Sequence, residues 1–540
     1  MAGNSPIVES LPSAPTIGSP SRASYPAAFK ILAALAAACA LLPGVYLVIR
    51  ASGVEAEAWT IFWRARTLGI LINSLALAVA VAGCSALLGT PLAWLLTRTD
   101  LPGRRIWTVL ACLPLAVPSY VAAFVWISAL GPGGLAAAAL GPWTASVLPS
   151  IYGFTGSWVL LSLLTYPYVF LSVRGALLRM DPALEEASGT LGRNRRQTFF
   201  RIVLPLLRPA IGAGALLAAL YALSDFGAVS LLRFESFTWA VYSQYRGAFD
   251  RSMAALLALM LVALTLGLLW GESRLRKRPA FSPSAHRKRA PVELGAWRWP
   301  ALALCSLLVL TALGLPLAVI SYWLSLGALS QWSPGEFAAA TWNSLLASSL
   351  GAAATVVLAV PVAVVAVRGR GRLERAVERL AYLGYGLPGI VVGLALVFFG
   401  ARHAPFLYQT LMLLIFAYVV RFLPQAVATT SASYRAVNPR VEEAALTLGR
   451  GRWRVFCSVT APLIRPGALA GLALVFLTAV KELPMTLLLA PTGFETLATH
   501  IWSATSEAFF ARAALPSLFL LLLSGVSVAL ILREKAERAL

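Results

Sequence analysis

The chain has 540 residues, of which 59% are hydrophobic and only 12% charged, with a formal net charge of +22. Soluble domains average about 45–50% apolar and about 25% charged residues, so this deficit of charge excludes a soluble multidomain protein and marks an integral membrane protein. The positive charge does not point to nucleic acid, because Lys and Arg gather in short stretches between apolar runs, as in the loops of membrane proteins.

Residues 1–28 are rich in Ser, Pro and Ala and read as a disordered lead. The first apolar run, residues 31–49, is long and late for the core of a signal peptide, so it reads as a spanning helix. A bilayer core of about 30 Å takes about 20 apolar residues as helix. Runs of that order fall at 30–49, 69–96, 106–131, 148–173, 207–231 and 252–271, and again at 300–324, 343–367, 377–400, 407–430, 465–490 and 513–532. The expectation is an all-α membrane protein of about 12 helices in two halves, 29–272 and 300–532. Between them lies a basic, Pro-punctuated linker, 273–299, and residues 533–540 form a tail. Most of the 44 Lys and Arg residues fall on one side if the N-terminus is inside: Arg98, Arg104 and Arg105, then 274–278, then 368–379. The opposite stretch GPGGLAAAALGPW carries no charge. Both termini and the linker are therefore expected in the cytoplasm. Cys39, Cys84, Cys112, Cys305 and Cys457 have neither disulfide nor metal spacing and read as core residues.

The halves repeat each other. At an offset of 257, Pro167 meets Pro424, Glu186-Ala187 meets Glu443-Ala444, Gly192 meets Gly449, Pro205 meets Pro462 and Asp225 meets Glu482. Upstream the offset is 270: the NSL at Asn73 meets the NSL at Asn343, and Pro118 meets Pro388. Each half has an even number of spans and starts inside, so the repeats are parallel, related by an axis along the membrane normal. Such an axis suits a shared pathway between the halves.

A polar segment interrupts each half: EEASGTLGRNRRQTFFRIVLP from Glu185 and EEAALTLGRGRWRVFCSVTAP from Glu442. Asp181 and Asn438 suit helix N-caps, with Pro182 and Pro439 at the first helical position. The paired acids lie near the positive end of that short helix, and Gly192 and Gly449 permit the turn that ends it. One such segment alone is most simply a solvated loop. Two with matched caps, acids and glycines suit a partner that is itself two-fold.

These residues resemble the EAA loops of ABC importer permeases. Glu186-Ala187-Ser188, then Gly192, Ile202, Leu204 and Pro205 follow that pattern; the second copy reads Glu443-Ala444-Ala445, Gly449, Val459, Ala461 and Pro462, departing where Val and Ala replace Ile and Leu. The resemblance covers roughly residues 60–273 and 335–535, with loops at 181–209 and 438–466. It implies the type I importer permease fold in a bacterial inner membrane. Glu185, Glu186, Ala187, Gly192, Glu442, Glu443, Ala444 and Gly449 would couple the spans to two copies of an ATPase subunit. The chain itself would be no enzyme and bind no cofactor, ATP and Mg being used by the partner. No P-loop is present: none of Lys30, Lys277, Lys288, Lys481 and Lys535 follows a glycine. LPGRRIW, LPLAVPSYVAAFVWISALGP and LSDFGAVSLLRFESFTWAVYSQY are similar to permeases of binding-protein-dependent iron(III) importers, with thiamine and phosphonate permeases sharing the fused layout. That resemblance implies an extracytoplasmic binding protein docking at 233–251 and 491–512, where Arg246, Asp250, Glu495 and His500 lie.

The rival class is a secondary transporter of six plus six helices. RTDLPGRR, from Arg98, is weakly similar to the basic loop of the major facilitator superfamily at Asp100, Gly103, Arg104 and Arg105. A membrane enzyme lacks support: His286, His403 and His500 are all expected in loops, and no metal site is assigned. Ionisable residues inside spans are functional candidates, which singles out Asp225, Lys481 and Glu482, with Tyr221 and Thr478 one turn earlier. They suit a polar ring at the outer mouth of a path, caps on broken helices, or groups that hold a gate closed. Pro118 and Pro388 are expected to shape the path's helices.

Overall fold

A computed structural model describes residues 25–52, 64–141, 149–181, 183–247, 251–275, 291–327 and 331–537. Most of the expected lead, residues 276–290 of the linker with His286, Pro182, Asp250 and the end of the tail lie outside that set. Among the described residues the regular structure is helical apart from one parallel bridge, Thr99 to Val292. Ten helices are long and apolar enough to cross a membrane, and two shorter apolar ones, Gly389–His403 and Phe510–Gly525, match the remaining predicted runs.

Four of those runs are not single helices. Residues 106–131 begin with the short helix Arg104–Leu110 and a 3-10 turn, Leu113–Ala116, and the apolar helix Ser119–Leu130 starts only after Pro118. Residues 377–400 begin inside an amphipathic helix, Arg372–Leu383, and the apolar helix starts after Pro388. Both prolines act the same way. A proline pushes the residue before it out of the helical region, and Val117 and Leu387 are extended, with ψ of 118° and 114°. The run 207–231 divides into Leu204–Ser224 and Gly227–Leu231, and 465–490 into Ala461–Ala479 and Pro484–Leu489.

Proline also explains three π-helical turns. Phe199–Val203, Leu310–Gly314 and Phe456–Thr460 each end two residues before a proline, at Pro205, Pro316 and Pro462. A helical proline cannot donate to residue i−4 and clashes with its carbonyl, and the wider turn relieves this.

The first helix of each half packs on the other half. In Ala27–Ser52, Phe29 sets its ring 4.7 Å from Phe456, and the Tyr46 hydroxyl donates to the Phe398 carbonyl at 3.3 Å. Lys30 pairs with Glu374 at 2.9 Å. In the opposite sense, the Trp323 indole donates to the Ser128 hydroxyl at 2.6 Å, while Ala301, Cys305 and Leu308 are buried with Leu92, Leu96 and Tyr166. The exchange makes the two halves one body and leaves their loops and breaks as matched pairs.

Candidate functional site

The first polar segment folds as the helix Ala183–Thr190, and the second as Pro439–Thr447. Each starts on a side-chain cap: Asp181 Oδ1 accepts from the Ala183 amide at 2.9 Å, and Asn438 Oδ1 from the Arg440 amide at 3.1 Å. Each ends at a glycine in the left-handed region, Gly192 at φ 77° and Gly449 at φ 78°. There a residue with a Cβ is strained.

The adjacent acids divide. Glu185 and Glu442 turn inward to arginines that end the longest helices, Ala65–Arg98 and Pro334–Arg368. Arg98 Nη2 lies 3.6 Å from Glu185 and donates to the Leu177 carbonyl at 3.0 Å. Arg368 Nε donates to Glu442 at 3.0 Å and its Nη2 to the Val437 carbonyl at 3.0 Å. Glu442 is 2% exposed and also accepts from the Tyr434 and Thr460 hydroxyls, at 2.8 and 2.7 Å. Glu186, Ala187, Glu443 and Ala444 are exposed. Beside them stand Leu184 and Leu191, 46% and 78% exposed, and their counterparts Val441 and Leu448, 47% and 81% exposed. Positions three, four and seven apart share a helix face, so each helix shows the same apolar stripe flanked by one carboxylate. In the sequence these arginines stand out only as loop charges, and their placement at the matched offset of 270 is the available signal.

At membrane depth the four helix breaks interlock. Asp225 is buried, and its Oδ1 accepts from the Ala228 amide at 2.9 Å and the Val229 amide at 3.4 Å, capping the short helix after the break. Its carbonyl accepts from Thr238 at 2.6 Å. Glu482 accepts a long contact, 3.5 Å, from the Met485 amide and faces the Arg421 charge, and its carbonyl accepts from Thr486 at 2.8 Å. A Cβ on Gly227 would come within 3.0 Å of Ser119, and one on Gly389 within 2.5 Å of the Glu482 carboxylate. The residue after each shaping proline thus meets the acid break of its own half. Lys481 crosses the seam, donating to the Leu115 carbonyl of the first half at 3.0 Å. Thr478 donates to Gln425 at 3.2 Å, and the Tyr221 ring lies 6.2 Å from Tyr168. Among the described residues no group of three or more His, Cys, Asp and Glu side chains is placed to hold a metal ion.

The face opposite the polar loops explains the NSL repeat. Ser74 Oγ accepts from the Phe237 amide at 3.0 Å, and Ser344 Oγ from the Leu497 amide at 2.8 Å. Asn73 and Asn343 donate to the carbonyls of Glu235 and Glu495, at 3.4 and 3.0 Å. Each pair pins the start of an outer helix, Phe237–Gly247 or Leu497–Ser506. The Trp502 indole donates to Ser230 across the seam at 3.0 Å. Beside it a cleft of about 910 Å³ is lined by Tyr242, Arg246, Glu336, Glu495, His500 and Arg512. His500 therefore lies in a helix and not the expected loop, 2.7 Å from Glu495, and burial pushes its imidazole pKa below the ordinary value. His403 ends a helix and stacks on Phe399. RTDLPGRR also has a local role: Asp100 Oδ1 accepts from the Leu294 amide at 3.0 Å.

Residues 85–279 and 355–534 both match the family described as binding-protein-dependent transport system inner membrane component. The chain is 35% identical over 498 residues to the Fe(3+)-transport system permease protein FbpB 2 of Haemophilus influenzae, covering 91% of this chain and 95% of that one. It is 24% identical to the ferric transport system permease protein FbpB of Actinobacillus pleuropneumoniae, over 81% of this chain and 67% of the relative. The sulfate transport system permease protein CysT of Escherichia coli aligns at 29% identity, covering 87% of CysT but 44% of this chain, so one half here corresponds to a whole permease subunit there. The doubled polar loop, the two six-helix halves and the two family matches agree: the chain belongs to the binding-protein-dependent transport system inner membrane components and is a fused, two-domain permease of an ABC importer.

Proposed function

We propose that the chain forms the membrane pathway of an ATP-driven importer for iron(III), with both termini and the polar loops in the cytoplasm. One ATPase subunit docks on each of the helices Ala183–Thr190 and Pro439–Thr447. The single observation that carries this reading is the matched outward face of Leu184, Ala187 and Leu191 in one helix and Val441, Ala444 and Leu448 in the other. Apolar side chains left in water on both loops, each with one exposed glutamate, suit a groove on a two-fold partner. ATP and magnesium are used by that partner. On the outer face a loaded binding protein docks over the helices Phe237–Gly247 and Leu497–Ser506, and Arg246, Glu495 and His500 face it. Asp225 and Glu482 fix the two helix breaks, and Lys481 holds the halves together at that depth until ATP binding parts them. Tyr221 and Thr478 line the approach.

Iron(III) is the proposed cargo because the 35% identical relative, matched over 95% of its length, is named an Fe(3+)-transport permease, whereas the sulfate permease matches only one half of this chain. The test is uptake of ⁵⁵Fe by proteoliposomes holding the permease, its ATPase and its binding protein, against labelled thiamine, phosphonate and sulfate. ATP-dependent accumulation of iron alone is expected. Accumulation of another solute would replace the cargo, and accumulation driven by a proton gradient without ATP would sink the importer reading. Glu186→Lys with Glu443→Lys is expected to abolish uptake while leaving membrane insertion intact; normal uptake in that double variant would remove the coupling assignment.

A further inference from the structure

The two coupling helices are held by anchors of different construction. In the second half the Glu442 carboxylate gathers Arg368, Tyr434 and Thr460. At the positions that match Tyr434 and Thr460 the first half has Leu177 and Val203, whose side chains cannot hydrogen-bond. The first half has a contact of another kind. The chain returning from the linker lies beside the residues that follow its longest helix. The Val292 amide donates to the Arg98 carbonyl at 2.8 Å, the Asp100 amide to the Val292 carbonyl at 3.2 Å, and the Leu294 amide to Asp100 Oδ1 at 3.0 Å. These bonds flank Thr99 and begin at the carbonyl of Arg98, the residue whose guanidinium reaches Glu185.

We infer that the inter-half linker is a working part of the first coupling loop: residues 292–294 position Arg98, and through it the helix Ala183–Thr190, as Tyr434 and Thr460 position Pro439–Thr447. The inference rests on the coupling role proposed above. Asp100 and Leu294 lie 194 residues apart in sequence, so this brace ties the end of the linker back onto the first half. Backbone pairing of this kind fixes the direction of the chain at Arg98, and a guanidinium held at its root aims its planar fork. Asp100 and Val292 are thus positioning residues, and the covalent join between the halves delivers a strut as well as a tether. A Ser188 to Thr198 hydroxyl contact of 2.9 Å stiffens the first loop internally, where the second has Ala445 and Val455. The first loop is therefore a firm unit hung on Arg98, and the second a unit locked from below by its buried glutamate.

The test reads each loop separately. A nitroxide is placed at Leu191→Cys or Leu448→Cys, both exposed, in full-length protein with Cys457→Ser, and its mobility is measured by electron paramagnetic resonance in lipid nanodiscs. Asp100→Ala with Val292→Pro removes the side-chain acceptor and one donor of the brace. It is expected to mobilise the label at 191 and leave that at 448 unchanged. Tyr434→Phe with Thr460→Val is expected to do the reverse. Asp100→Asn keeps the acceptor oxygen and is expected to behave as the parent. General destabilisation would loosen both labels in either variant, and that result, or an unmoved label at 191, overturns the inference. In proteoliposomes Asp100→Ala with Val292→Pro and Tyr434→Phe with Thr460→Val are each expected to raise the ATP hydrolysed per iron delivered several-fold, and Asp100→Asn to leave it at the parent value. The mobility pattern is read without the ATPase, so a parent protein that binds no ATPase defeats the proposed function and not the brace.

Discussion

Glu442 in the second half accepts from Arg368, Tyr434 and Thr460, whereas its counterpart Glu185 meets Arg98 at 3.6 Å with Leu177 and Val203 in the matching places. The outward faces of the same two helices are nearly interchangeable, with Leu184, Ala187 and Leu191 matching Val441, Ala444 and Leu448. The outward faces are kept alike, and what meets the chain's own core differs. Under the proposed docking, a two-fold partner would constrain only the shared outer face, while each anchor answers to its own local packing.

The difference between anchors can be broken directly. Glu442→Ala leaves the Arg368 guanidinium, 13% exposed, without its carboxylate. Removing one member of a buried pair costs about 3–5 kcal/mol, so a large fall in the unfolding temperature in detergent is expected. Glu185→Ala removes a longer contact and is expected to cost less than half as much. Equal losses would contradict the contrast. The membrane-depth breaks give the next effect. Asp225→Ala strips a buried cap, worth about 0.5–2 kcal/mol, while Glu482→Gln keeps an oxygen that can accept the 3.5 Å contact from Met485 and removes the charge facing Arg421, and is expected to cost less. Thermal unfolding of the two variants side by side checks the order, and a greater loss for Glu482→Gln would reverse the assignment. The smallest effect belongs to the outer pins. Ser74→Ala and Ser344→Ala each remove one hydrogen-bond acceptor, about 1 kcal/mol apiece. Hydrogen exchange is expected to quicken at Phe237 in one variant and at Leu497 in the other, and a uniform response at both sites would deny that the pins act locally.

Much of this architecture was legible in the sequence. Run length and composition locate all twelve apolar segments, and the offsets of 257 and 270 pair the halves before any coordinates are considered. A helix break capped by Asp225 was among the readings of that buried acid, but the breaks at Val117 and Leu387 were hidden because apolar composition continues through them and hydropathy averages over a turn. Pro118 and Pro388 were visible, but whether a proline kinks a helix or starts one depends on the preceding residue's conformation. The division between Glu185 and Glu186 follows from helical register, since neighbours on a helix point about 100° apart. Which of the two faces inward depended on Arg98, distant in sequence. The NSL repeat was plain as a repeat, yet its role lay in contacts to residues more than 150 positions away.

The proposed mechanism requires that two matched helices each seat an ATPase subunit. Native mass spectrometry of the importer, extracted gently with its ATPase co-expressed, tests it most directly, alongside the Leu191→Glu/Leu448→Glu variant. One permease with two ATPase subunits, and a bare permease in the variant, is the expected result. A wild-type permease released alone or with a single ATPase, or a variant that keeps both subunits, would contradict it.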